Sequence, residues 1–179
     1  MDILADAEEA LPTMTALFEK VTPVITELGE RATHYGTMLA KETPSGARRL
    51  VNAYAQFIRR KTDEIESVNE EFEPLVERMA DWIDFLVSQT LDPDTDIEGF
   101  ELVEARNQFH SASEAGAETA VNMHSLAEAT LLMVGIERSL NREAKRLHKE
   151  ISRQEGFVIQ SSALFARLAD ALDERLGGL

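Results

Sequence analysis

Apolar residues recur every seven positions through most of the first 86 residues, and this repeat restricts the chain to long, laterally packed helices. From residue 4 to 39 one set of positions holds Leu4, Leu11, Phe18, Ile25, Ala32 and Leu39. A second set, three residues further on, holds Ala7, Met14, Val21, Leu28 and Tyr35. From 51 to 86 the first set is Val51, Ile58, Ile65, Phe72, Met79 and Leu86, and the second is Tyr54, Lys61, Val68, Leu75 and Trp82. Only Lys61 interrupts the pattern. The repeat predicts helices over 4–39 and 51–86, each about 50 Å long at 1.5 Å per residue.

Between them lies "KETPSGARR", residues 41–49, with Pro44 and Gly46 as helix breakers. Two helices of equal length joined by a short loop fold back antiparallel. Facing residues then share a common sum, which sets Leu4 near Leu86, Phe18 near Phe72 and Leu39 near Val51. Lys61 falls opposite Leu28 and Gly29, within reach of Glu27 and Glu30. Its stem is expected to lie along the seam and carry the ammonium out to water. Pro23 and Pro74 each remove a backbone donor, at about 3 kcal/mol in a helix interior. A kink or break is expected at each, with the heptad resuming in phase.

A third helix is expected over 97–154, on a weaker seam that includes Ala105, Phe109, Met123, Leu126, Met133, Leu140, Leu147 and Ile151. Its first half is rich in small residues, and Ala112, Gly116 and Ala120 recur every four positions, a face that lets another helix approach closely. Gly156 is expected to interrupt it. A short fourth helix over 157–176 then presents Leu164, Phe165, Leu168, Leu172 and Leu176 on one side. The expected fold is all-α: residues 1–179 as one elongated helical bundle, a long antiparallel coiled-coil-like hairpin plus a long third and a short fourth helix.

Charge and composition narrow the function. The net charge is −15, which repels nucleic-acid backbones and anionic membranes, so neither is expected as a partner. There is no cysteine, which excludes disulfides and thiol chemistry. The start, "MDILADAEEA", is acidic where a secretory leader is basic, and the expected location is cytoplasmic.

The stretch most like a metal site is "DPDTDIEGFELVE", 92–104. Asp92, Asp94 and Asp96 fill the first three ligand positions of a calcium loop. The sixth position is Ile97 in place of the turn glycine, and the twelfth is Val103 in place of the bidentate glutamate. The better reading is a connection in which Asp94 or Asp96 caps the next helix and Glu98 and Glu101 complement its positive end. No Glu-x-x-His occurs, so a di-iron carboxylate centre is not expected. His110 and His124, two heptads apart on one face, could share a polar layer. No catalytic motif is present, and neither cofactor nor enzymatic activity is expected.

One segment departs from the overall acidity. "ERSLNREAKRLHKEISR", 137–153, places Arg138, Arg142, Lys145, Arg146, Lys149 and Arg153 along one stripe, while residues 63–81 carry eight acids and a single arginine. The stripe is expected beside that acidic helix, in the same chain or in another. The leading expectation is a non-enzymatic protein–protein interaction module: a scaffold, adaptor or self-associating bundle, with a homodimer through the third and fourth helices favoured. The alternative is a ligand-sensing bundle that holds a small anion or metal between helices through His110, His124 and the basic stripe.

Overall fold

The computed structural model describes residues 3–95, 99–134 and 137–177, apart from the side chains of residues 3–9, 11, 39 and 99–101. The seam pairs Leu4–Leu86 and Leu39–Val51, and the expected roles of Asp96, Glu98 and Glu101, fall outside what is described. The chain is an all-α bundle of four helices: α1 (Ile3–Leu39), α2 (Pro44–Leu91), α3 (Gly99–Leu131) and α4 (Arg138–Gly177). It divides into two compact units. Unit 1 comprises Met1–Thr13, Glu73–Val121 and Glu155–Leu179; unit 2 comprises Met14–Phe72 and Asn122–Gln154.

In unit 2 the expected antiparallel pairing of the first two helices is present. The Phe18 and Phe72 rings meet edge to face at 4.7 Å, and Tyr35 stacks on Tyr54 at 4.3 Å. α2 also packs on α4, and here the numbers rise together: Arg59 with Glu143, Asp63 with Arg146, Asn69 with Glu150. α2 and α4 are therefore parallel. Serving two neighbours requires a stripe wider than a two-position seam. Accordingly Ala55, Thr62 and Asn69 are buried beside the expected Tyr54, Ile58, Lys61, Ile65 and Val68. α1 is turned relative to the expected seam. Met14, Leu17, Val21, Val24 and Leu28 are buried, whereas Phe18 and Ile25 are half-buried and Ala32 is exposed.

Lys61 differs from its expected course. Its side chain is 11% exposed, and its ammonium ends on Glu27 Oε2 at 2.9 Å and Glu64 Oε2 at 2.8 Å, held by carboxylates and not carried into water. Glu27 was within expected reach; Glu64, one turn along the same helix, completes the triad.

In unit 1, α3 and α4 run antiparallel. Arg106 and His110 reach Asp173, Phe109 lies 5.9 Å from Phe165, and Gly116 faces Ser162. Leu75, Val76, Met79, Trp82 and Ile83 of α2 are buried, with Leu168, Ala169 and Leu172 of α4.

Several expected boundaries are corrected. Helix α2 begins at Pro44, not after the breakers. Thr43 caps it by accepting the Gly46 N–H at 3.3 Å, and proline suits the first helical position because its missing donor has no helical partner there. Neither Pro23 nor Pro74 breaks its helix. Both are exposed, and the carbonyls they leave without a donor belong to the exposed Glu19 and Glu70, where water replaces the bond.

The helix expected over 97–154 is two helices, and Gly156 lies inside α4. The chain leaves α3 through tight turns, with N–H groups of Leu132, Met133 and Val134 donating three residues back, and α4 starts on the Glu137 carbonyl. Folding back there brings Arg146 of α4 against Asp63 and Glu66 of α2. Gly156 costs the helix about 1 kcal/mol relative to alanine. Burial of Ile151 and Phe157 on either side of it outweighs this.

Candidate functional site

Arg138, Arg142, Lys145 and Lys149 form an exposed row along α4, spaced four, three and four residues apart. The opposite face buries Leu140, Ala144, Leu147 and Ile151, and this amphipathicity fixes the row in solvent. The other two cations of the stripe are bound within unit 2. Arg146 holds Asp63 at 2.6 Å and also Glu66. Hydrogen bonds first to Glu66 and then to Asp63 raise its pKa above the ordinary arginine value. Arg153 lies 3.7 Å from Glu150, and Lys149, itself 75% exposed, lies 3.4 Å from the same carboxylate. Arg138, Arg142 and Lys145 have no ion pair among the described residues.

The small-residue face is also used within the chain. Ala120 is buried and Gly116 packs so closely on α4 that an added Cβ would fall 2.0 Å from Ser162 Oγ; Ala112 is exposed. The close approach expected of this face is therefore made by α4 of unit 1.

Sequence reasoning missed a buried polar layer in unit 2. Asn69 Nδ2 donates to the Glu150 carbonyl oxygen at 3.0 Å and to its Oε2 at 3.1 Å. Asn69 and Gln154 are fully buried and Glu150 is 1% exposed. Asn69 Oδ1 and both amide atoms of Gln154 have no hydrogen-bond partner. The available signal was periodic: Glu143, Glu150 and Gln154 occupy the same inward phase as Leu140, Leu147 and Ile151.

At the aspartate stretch, Asp92 and Asp94 are exposed, and the Asp92 side chain accepts the Asp94 N–H at 3.0 Å, an Asx turn. Arg175 of α4 donates to the carbonyl oxygens of Asp92 and Thr95, both at 2.9 Å. The cation that organises this turn is thus a side chain. The third candidate, Asp96, lies outside the described residues. His110 Nε2 sits 3.1 Å from Asp173, and this contact, with Arg106, holds the Asp173 carboxyl below its ordinary range. His124 is exposed. No group of three or more His, Asp or Glu among the described residues is arranged to hold a metal ion, and none of the described helices is long and apolar enough to cross a membrane. Compared with protein-family models, with curated proteins and with solved structures, the chain matches none.

Proposed function

We propose that this chain is a non-enzymatic protein–protein interaction module whose contact face is the cationic row of α4. One observation supports the reading. Arg138, Arg142 and Lys145 stand exposed and without ion pairs among the described residues, on a chain of net charge −15. Such a local reversal of sign steers an acidic surface to one face and away from the others. A second copy can supply that surface, because Glu70, Glu71, Glu77 and Asp81 of α2 are exposed. A different acidic protein serves equally. Arg146 and Gly116 have partners within the chain, so the row is the feature on which association rests.

Light scattering coupled to size-exclusion chromatography, with a parallel titration of poly-L-glutamate, tests the reading. The expected result is either a mass above one chain or saturable binding of the polyacid. Either should weaken as salt shortens the screening length from about 10 Å towards 3 Å, and in the Arg142→Glu/Lys145→Glu variant. A single-chain mass without polyacid binding would overturn it.

A further inference from the structure

We propose that the groove between the first turns of α2 and the start of α4, in unit 2, anchors the partner by taking a segment in which an apolar residue is flanked by carboxylates. The proposal rests on the interaction-module reading and names what the partner carries and where its anchor seats.

Both helices contribute to this groove. α2 and α4 are parallel neighbours in unit 2, as the Arg59–Glu143, Asp63–Arg146 and Asn69–Glu150 contacts require. Between their starts lies a groove of ≈ 860 Å³. One wall is the first turns of α2, where Pro44, Ala47, Arg48 and Val51 recur at helical spacing, with Arg49 and Asn52 beside them. The other is Glu137, whose carbonyl oxygen accepts the N–H groups of Leu140 and Asn141 as α4 begins. The groove therefore opens at the head of the cationic row, which starts at the next residue, Arg138.

Its chemistry selects the occupant. From residue 43 to 62 the chain carries five cations, Arg48, Arg49, Arg59, Arg60 and Lys61, and no acid, on a chain of net charge −15. Arg48 and Arg49 are exposed and have no ion pair among the described residues. Guanidinium forks fit carboxylates and phosphates alike, so the remaining lining decides between them. Ionised Glu137 only accepts hydrogen bonds and repels a chain of phosphates. A polypeptide brings backbone N–H groups for Glu137 together with carboxylates for the arginines. Its apolar residue also covers Pro44, Ala47 and Val51, which a phosphate chain leaves bare. Apolar surface rimmed by unpaired charge is the composition of a binding centre.

Fluorescence anisotropy with the full chain tests this, using a labelled polyglutamate peptide that carries a central leucine, its leucine-to-serine counterpart, and tripolyphosphate as competitor. The leucine peptide should bind more tightly than the serine peptide, and tripolyphosphate should compete poorly. Arg48→Glu should raise its Kd about tenfold or more. Ala47→Gln, which fills the groove with a side chain that helices accept, should do the same; neither should change Tm, since both residues lie on an outer face of α2. Equal affinity for the two peptides would overturn the proposal, and strong competition by tripolyphosphate, lost in Arg48→Glu, would overturn it in favour of a phosphate ligand. If Arg142→Glu/Lys145→Glu weakens binding while Arg48→Glu and Ala47→Gln do not, the groove is not the anchor and the row of α4 stands alone. If neither these peptides nor poly-L-glutamate bind and the mass is that of a single chain, both readings fall.

Discussion

Adding one methyl group at Gly116 should destabilise this protein, and removing one oxygen from Ser162 should restore it. In the middle of a helix, Gly→Ala ordinarily stabilises by about 1 kcal/mol. Here the new Cβ would lie 2.0 Å from Ser162 Oγ and 3.2 Å from Ser162 Cβ. The hydroxyl must rotate away from the Val158 carbonyl that it donates to at 2.8 Å, in a site where Ser162 is 8% exposed. Leaving a buried hydroxyl without its acceptor costs about 1–3 kcal/mol. The remaining Cβ–Cβ contact pushes α3 and α4 apart by tenths of an ångström. Overpacking of this kind costs about 1–3 kcal/mol, more than the helix gains. Gly116→Ala alone should therefore lower stability by about 1–3 kcal/mol. Ser162→Ala alone exchanges a bond to its own helix for the better propensity of alanine and should be near neutral. In the double variant the close oxygen contact is absent and both propensity gains remain, so the coupling should be at least about 1 kcal/mol. Urea unfolding followed by helical ellipticity, with midpoints compared at constant slope, measures all four states. A Gly116→Ala midpoint above wild type, or a double variant equal to the sum of the singles, would refute the close packing.

Ile65→Ala and Phe72→Ala each remove a fully buried side chain and should cost about 2–5 kcal/mol by the same assay. Lys61→Met should be close to neutral at mid pH, since Glu27 and Glu64 are partly exposed and can recover water. The Lys61 pKa is raised by its hydrogen bonds to Glu64 and Glu27, so its contribution is complete below the ordinary lysine value and fades as pH climbs through the raised one. Glu27 is lowered chiefly by its bond to Lys61, so its share is present above the ordinary carboxylate value and fades as pH falls; with the two proteins similar at mid pH, the wild-type Tm should drop below that of Lys61→Met at each extreme. Burial pushes the Tyr54 phenol up to about 12, so stability should fall between about 10 and about 12, where the unfolded chain ionises first, and ultraviolet absorbance should show one late-titrating tyrosine. Arg175→Ala frees the carbonyls of Asp92 and Thr95 and should cost about 1–3 kcal/mol, with faster amide exchange at Thr95.

What the sequence disclosed and what it hid separate by the range of the interaction. The heptad located α1 and α2 and matched Phe18 to Phe72, because a repeat fixes which residues of one helix face inward whatever the neighbour is. It missed the third inward position of α2, held by Ala55, Thr62 and Asn69, because that position depends on a second neighbour contributed from 81 residues away at Glu150. The turn at 131–134 was hidden for a related reason. Leu131, Leu132, Met133 and Val134 continue an apolar helical pattern, and nothing local reports that Leu132 remains 80% exposed. Pro44 misled in the opposite sense, since a proline inside the first turn and a proline that ends a helix look alike until the Thr43 cap is seen. Of the site, the cationic stripe was legible as a stripe. That Arg146 would be taken by Asp63 and Glu66, while Arg142 stayed exposed, follows from a rotation of α4 that only packing defines.

The polar layer and the Arg146 contact together explain why α4 settles at one height beside α2 in unit 2. Charges on α4 repeat almost every heptad: Arg146 is followed by Arg153, and Glu143 by Glu150. Neither contact would therefore fix the register alone. Sliding α4 by seven residues in one direction brings Arg153 to Asp63 and Glu66, which is tolerable, but sets Phe157 against Asn69, leaving a buried amide with no acceptor at about 1–3 kcal/mol. Sliding it in the other direction keeps a glutamate, Glu143, on Asn69 but brings Ser139 to the two acids, which lose their arginine. Each wrong register is penalised by a different contact, and only the observed one satisfies both. The buried Asn69–Glu150 pair thus acts as a specificity device, in a core where apolar residues of similar volume would pack at no cost in stability.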